Sequence, residues 1–265
     1  MHGDSLWLRS CIYLMKKILV LSVPPTKEHA PSNSGESFSS YSLDEFKALD
    51  ADKKKGYTCY LTDLYNNDRS TLLHIVNKTG FLTLDCSSIK SLELKEFELN
   101  SLNLSGCQNL SSLKKIQHLT NLNSLNLSGC ENLSSLEGIQ SLTNLNSLSL
   151  SGCQNLSSLE KVQHLTNLTF LSLSGCQNLS SLELLQYLNT LTFLSLSGCQ
   201  NLPSLEGVQS LTKLNSLTLQ GCQNLSSFEG VKNITTLNSL TLQGCQNLSS
   251  IEAVQKRISS DSLVK

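Results

Sequence analysis

The chain has 265 residues and carries 20 Lys and Arg against 21 Asp and Glu, a formal net charge of -1. That near-neutral balance provides no electrostatic footprint for nucleic acid or for an anionic membrane surface. Charged residues make up only 15 % of the chain while Leu, Ser and Asn recur at fixed spacing, which indicates an ordered repeat array and not disorder.

Residues 1–36 read as a leader or linker, because they end in the polar, proline-containing stretch "PPTKEHAPSNSGE". Within them "MKKILVLSVPP", from Met15, has a short basic and apolar run. Its apolar part is shorter than a signal-peptide core, and no small-residue cleavage site follows, so a strand or an unstructured leader is the better reading. No stretch reaches the ~18–20 apolar residues of a membrane-spanning helix.

Residues 37–78 are expected to form a helical N-terminal cap. "SLDEF" places Ser42 at an N-cap with Glu45 three residues on, and a short helix to about Leu49 should follow. "RSTLLHIVNK", residues 69–78, is a second helical candidate. Such elements would shield the apolar edge of a stacked array. From 79 to 254 the chain repeats, with one shortened, degenerate unit at 79–98 and then seven regular ones.

"GCQNL" or "GCENL" occurs with its Gly at 106, 129, 152, 175, 198, 221 and 244, every interval being 23 residues. Within one unit the apolar residues are Leu122, Leu125, Leu127, Cys130, Leu133, Leu136, Ile139 and Leu142. Leu125 and Leu127 alternate with polar neighbours, the pattern of a short half-buried strand. After Gly129 the apolar spacing becomes strictly three, which fits 3₁₀ or extended turns but not an α-helix. Each unit is therefore a flat coil with a strand on one side and a tight return on the other. Coils of this size stack into a solenoid whose strands form one parallel sheet, ~4.8 Å apart. Beyond Val254, the tail 255–265 has Lys256, Arg257 and Asp261 but few apolar residues. The last strand, near Leu240–Leu242, is accordingly expected to be covered only by charged tail residues, with weak self-association through that edge as the alternative to a monomer.

The pattern LxxLxLxGCxNLxxLxxVxxLTN resembles a cysteine-containing leucine-rich repeat, similar to those of plant immune receptors and bacterial effectors. The resemblance runs from Leu99 to about Val254 and implies an α/β-type horseshoe with a parallel concave sheet and a 3₁₀ or extended-turn convex side. It further implies a protein-binding role, without identifying a partner.

Cys107, Cys130, Cys153, Cys176, Cys199, Cys222 and Cys245 share one register and lack the CxxC pairs and histidines of a zinc site. They read as a buried ladder of unpaired thiols, each a small hydrophobe with a weak S–H donor. Cys11, Cys59 and Cys86 are scattered, and a reducing compartment suits the whole set. The Asn column (109, 132, 155, 178, 201, 224, 247) follows the corner, where its side chains are expected to bond local backbone.

Strand residues that alternate with the buried leucines face outward in three columns: Ser101, Ser124, Ser147, Phe170, Phe193, Ser216, Ser239; then Asn103, Asn126, Ser149, Ser172, Ser195, Thr218, Thr241; then Ser105, Ser128, Ser151, Ser174, Ser197, Gln220, Gln243. None is charged. Phe170 and Phe193 should stack in adjacent coils and, with Ser147, Ser172, Ser195 and Ser216 around them, form the expected partner-binding set. The competing explanation is a substitution shared by two duplicated units. His118 and His164 lie two coils apart, ~10 Å, too far to share a metal. No Ser/His/Asp set, acid pair or phosphate-cradling loop stands out, so neither an enzyme nor a cofactor or metal is expected.

The sequence thus favours a non-enzymatic module that binds a protein, acting in the cytoplasm or as a secreted bacterial effector in a host cytoplasm. Sequons such as Asn103-Leu-Ser and Asn126-Leu-Ser would put glycans in the middle of strands, which argues against a glycosylating secretory route. The alternatives are a cell-surface recognition or adhesion protein and an adaptor of a ubiquitin ligase complex, although residues 42–78 match no F-box.

Overall fold

The computed structural model describes residues 43–49, 51–86, 92–232, 234–248 and 263–264. The leader with its Met15 segment, the Ser42 cap, Cys11 and most of the tail lie outside the described residues.

Three helices open the fold: α1 (Leu43–Ala48), α2 (Ala51–Asn67) and α3 (Arg69–Thr79). The long helix α2 lies inside the expected helical cap, 37–78, but is not one of the two helices named there, because "ADKKKGYTC" shows neither an apolar face nor a cap. Helix α3 begins at Asp68, whose side chain accepts from the Thr71 amide, and ends at Gly80 in the left-handed conformation. Both cover the first coil. Thr58 Oγ1 of α2 lies 3.3 Å from Thr83 Oγ1, and the Asp85 amide donates to Thr62 Oγ1 at 2.7 Å. Arg69 stacks over Tyr65 and Phe97, 4.4 and 5.3 Å from the ring centroids, and pairs with Glu96.

The strands β1 (Phe81–Thr83), β2 (Ser101–Asn103), β3 (Ser124–Asn126), β4 (Ser147–Ser149), β5 (Phe170–Ser172), β6 (Phe193–Ser195), β7 (Ser216–Thr218), β8 (Ser239–Thr241) and β9 (Leu263–Val264) form one sheet in chain order. Every pairing is parallel. From β2 to β8 the register preserves the repeat, with Leu102, Leu125, Leu148, Leu171, Leu194, Leu217 and Leu240 in one row. The tail departs from expectation. Leu263 and Val264 pair with Leu240 and Thr241, so an added strand covers β8 where charged side chains alone were anticipated. Spacing explains this: Leu263 lies one repeat length after Leu240, and a β-branched Val follows.

On the return side, short 3₁₀ segments occupy Lys114–Ile116, Ile139–Ser141, Val162–His164, Glu183–Tyr187, Val208–Ser210 and Glu229–Val231. The apolar period of three follows from their hydrogen bonding. The amides of Leu133, Ile139, Leu142 and Leu145 each donate to the carbonyl three residues back, at 2.9–3.0 Å. Each such bond turns the next apolar side chain inward, and all eight apolar residues of the 122–142 unit are buried. At the corner, Gly152 has φ +75°, and a Cβ there would sit 3.5 Å from the Gly129 nitrogen. The left-handed turn, more than the space, calls for glycine.

Candidate functional site

Two polar columns flank the strands, one buried and one open. In the buried column each thiol donates to a carbonyl of the preceding coil: Cys130 to Leu104, Cys153 to Leu127, Cys176 to Leu150, Cys199 to Leu173 and Cys222 to Leu196, at 3.1–3.3 Å. Cys245, half-buried, does the same to Leu219 at 3.0 Å. Burial pushes the thiols of Cys153, Cys176 and Cys199 up to about 12 and that of Cys130 up to about 11. These groups stay protonated and inert at neutral pH.

The expected ladder needs one correction at its start. Cys107 is not a free thiol but forms a disulfide with Cys86, their Cα atoms 4.9 Å apart. The shortened first unit places Cys86 in the same column, one coil before Cys107, within the separation a disulfide spans. Cys86 is therefore part of the column and not a scattered residue.

Two members of the asparagine column also differ from expectation. Asn132 and Asn247 donate to Gln108 O and Gln223 O at 2.7 and 2.8 Å, bridging to the previous coil instead of to their own turn. A second column does likewise on the far side of the return, where Asn144 and Asn167 reach Thr120 O and Thr143 O at 2.9 and 3.0 Å. These residues tie coils together.

On the open face, Phe170 and Phe193 stack in register, with ring centroids 4.6 Å apart and planes inclined by 6°. The spacing nearly equals the distance between strands, so the ring faces look along the solenoid axis. Both rings are half-buried, as are Ser147 and Ser216, the residues paired beside them. Ser172 and Ser195 depart from the expected set. Each is only 8 % exposed, and they are lining residues and not open contacts. They lie on the two strands whose first position carries a phenyl ring in place of serine, which shields the position two residues on.

The sequence reading did not anticipate what these serines do. Ser128 Oγ lies 2.7 Å from Asn126 Oδ1 and 2.8 Å from Ser149 Oγ. From Ser149 the contacts continue to Ser151 at 3.3 Å, Ser172 at 2.7 Å, Ser174 at 3.5 Å, Ser195 at 2.6 Å and Thr218 Oγ1 at 2.6 Å. A single zigzag of hydroxyls thus crosses five coils beneath and beside the phenyl pair. The signal available in sequence was serine in the second and third columns of the same units.

Charge lies elsewhere. Lys114–Glu137 and Lys115–Glu93 pair at 3.0 and 3.1 Å outside this face. His118 and His164 are exposed, and His118 Nε2 lies 3.0 Å from Leu94 O. Among the described residues, no three His, Cys, Asp or Glu side chains converge on a possible metal position. No described helix is long and apolar enough to cross a membrane.

The family model for the BspA-type leucine-rich repeat region matches in six copies, over residues 74–193 and 172–262. The chain is a BspA-type leucine-rich repeat protein. No curated protein matches its sequence significantly. Among solved structures it is similar to internalin C2 of Listeria monocytogenes, at 20% identity with a TM-score of 0.59, over 73% of this chain and 82% of that one. It is also similar to the leucine-rich repeat domain of the type III effector XopL, at 25% identity with a TM-score of 0.52, over 69% and 67% of the two chains. Leucine-rich repeat proteins are generally interaction modules without enzymatic activity, and they typically bind proteins.

Proposed function

We propose that this leucine-rich repeat protein holds a protein partner on its concave face, with Phe170 and Phe193 as the anchor and Ser147 and Ser216 as the open positions beside it. The observation that carries this reading is the stacked, half-exposed phenyl pair at the centre of a face whose three columns carry no charge. Aromatic anchors surrounded by small polar groups concentrate binding energy, because water is excluded around a rigid apolar contact. No part of the function is assigned to chemistry on a bound substrate, and no cofactor or metal is required. The likeness to XopL supports a narrower reading, in which the chain acts as a bacterial effector on a host protein in the host cytoplasm.

The test compares the wild-type chain with a Phe170→Ser, Phe193→Ser variant, both shown to be folded by circular dichroism. Proteins retained by each from a host-cell lysate are identified by mass spectrometry and reconstituted in pure form. The reading expects a purified partner that binds wild type and loses at least ~10-fold in affinity with the variant. Equal affinity for both would move the site off the concave face.

A further inference from the structure

The hydroxyl chain has a fixed direction at its start, set by a backbone amide. The Ser128 N–H, which can only donate, lies 3.0 Å from the Asn126 side chain and so identifies the facing atom as the amide oxygen. That oxygen can only accept, so the Ser128 hydroxyl, 2.7 Å away, donates to it. With its one proton engaged, Ser128 accepts from Ser149. Beyond Ser149 the row continues through the short pairs Ser151–Ser172, Ser174–Ser195 and Ser195–Thr218, at 2.6–2.7 Å, in which either oxygen can donate, joined by the longer Ser149–Ser151 and Ser172–Ser174 contacts at 3.3 and 3.5 Å. The Ser128 and Ser149 protons point back towards Asn126, and a hydroxyl that donates to one neighbour and accepts from another still keeps an acceptor lone pair. The half-buried members Ser128, Ser149, Ser151, Ser174 and Thr218 offer those lone pairs to the concave side.

The phenyl pair has a matching polarity. Each ring uses one face on the other ring, and its second face looks along the axis over a serine: Phe170 over Ser147, Phe193 over Ser216. Aromatic faces are electron-rich, so these two seats attract cations. The strip as a whole accepts hydrogen bonds and positive charge while carrying no charge itself. The electron-rich ring faces repel a carboxylate or phosphate, whereas the serine oxygens beside them accept from the N–H groups of a cation.

We infer that the concave face selects arginine side chains, whose planar guanidinium stacks on the outer face of Phe170 or Phe193 and donates to the serine oxygens beside it. This rests on the concave-face reading and specifies the chemistry of the partner: an arginine-bearing protein segment. A guanidinium fits better than a lysine ammonium because it is flat, more weakly hydrated and a fork of five donors. The two seats flank the phenyl pair, ~14 Å apart from Ser147 to Ser216, three strand steps. Two arginines of one segment can therefore occupy both.

The experiment titrates the ¹⁵N-labelled full chain with four neutral-capped peptides of one scaffold that carry three Arg, three Lys, three citrulline or three Glu. Backbone amide shifts are followed. The Arg peptide is expected to shift the amides of residues 147–151, 170–174, 193–195 and 216–218, and to bind at least ~5-fold tighter than the Lys peptide. Citrulline lacks the charge and retains only three of the five N–H donors, so it should fall between Arg and Glu; the Glu peptide should leave these amides unmoved. In a Phe170→Leu, Phe193→Leu variant, which retains apolar bulk, the Arg-over-Lys preference should vanish. Binding of the Glu peptide at these residues, equal binding of Arg and Lys, or an Arg preference that survives the Leu variant would each overturn the inference. Failure here differs from failure of the proposed function. A reconstituted partner that needs Phe170 and Phe193, with no response to the Arg peptide, leaves a protein-binding face of another chemistry. An Arg peptide that binds at these amides, with no protein depending on them, retains the chemistry and removes the protein.

Discussion

The thiol column and the hydroxyl column are two rows of small X–H groups at the same 23-residue period, one buried and one at the open face. Cys176 is fully buried and donates to Leu150 O at 3.2 Å; Ser174, two residues earlier, is half-exposed and bonds other hydroxyls. Sulfur loses little on leaving water, so a thiol can sit among leucines with one weak hydrogen bond. A hydroxyl pays more for burial and suits the wet side, where its spare lone pair stays available. Both columns bond from coil to coil, the thiols in the dry interior and the hydroxyls at the open face.

The sharpest way to break that contrast is to place the same charge in both rows. Cys176→Asp should destabilise the fold by more than ~4 kcal/mol, since nothing beside it pairs a carboxylate. Ser174→Asp should change stability by less than ~1 kcal/mol. Urea titrations of the two variants compare them directly; similar losses would mean that both rows are structural.

A second contrast separates the glycines of the return from those of the corner. A Cβ at Gly207, where φ is +96°, would lie 2.3 Å from Leu182 O, whereas at Gly106 nothing lies within 4 Å. Gly207→Ala is expected to cost ~2–4 kcal/mol and Gly106→Ala ~1–2 kcal/mol from backbone strain alone. Lys161 holds the equivalent return position with φ 77°, the one non-glycine residue with positive φ among those described. Lys161→Gly should therefore raise stability by up to ~1 kcal/mol, read as a higher melting temperature.

Titration distinguishes the columns more gently. The Cys130, Cys153, Cys176 and Cys199 thiols are raised by burial to about 11 or 12, so above the ordinary thiol range the unfolded chain loses protons that the folded chain retains. Their contribution is fully present below pH ~8.5 and declines as pH rises towards 11–12. The melting temperature should fall across that window in wild type, and fall less in a Cys153→Ala, Cys176→Ala variant. Serine hydroxyls do not titrate there, so Ser149→Ala with Ser174→Ala should leave the slope unchanged.

The repeat length, the strand around Leu125 (Ser124–Asn126, one residue earlier than the expected Leu125–Leu127) and the non-α return could all be read from period and spacing, because burial in a stacked coil is set by local geometry. The phenyl pair was readable for the same reason, as one register shared by adjacent units. What escaped depended on neighbours. The burial of Ser172 and Ser195 follows from rings on their own strands, and the hydroxyl chain requires knowing which column leans across to the next coil. The Cys86–Cys107 pair turned on a unit shorter than the rest, and helix α2 gains its place by packing on the first coil, not from its own pattern.

The central claim is that a partner sits on the concave face. The most direct measurement is the calorimetric affinity of a reconstituted partner for three folded proteins: wild type, Phe170→Ser with Phe193→Ser, and Glu160→Ser with Lys213→Ser, which alters exposed charges outside that face. The account predicts a loss of at least ~10-fold for the phenylalanine variant and less than ~2-fold for the charge variant. The reverse order would contradict it.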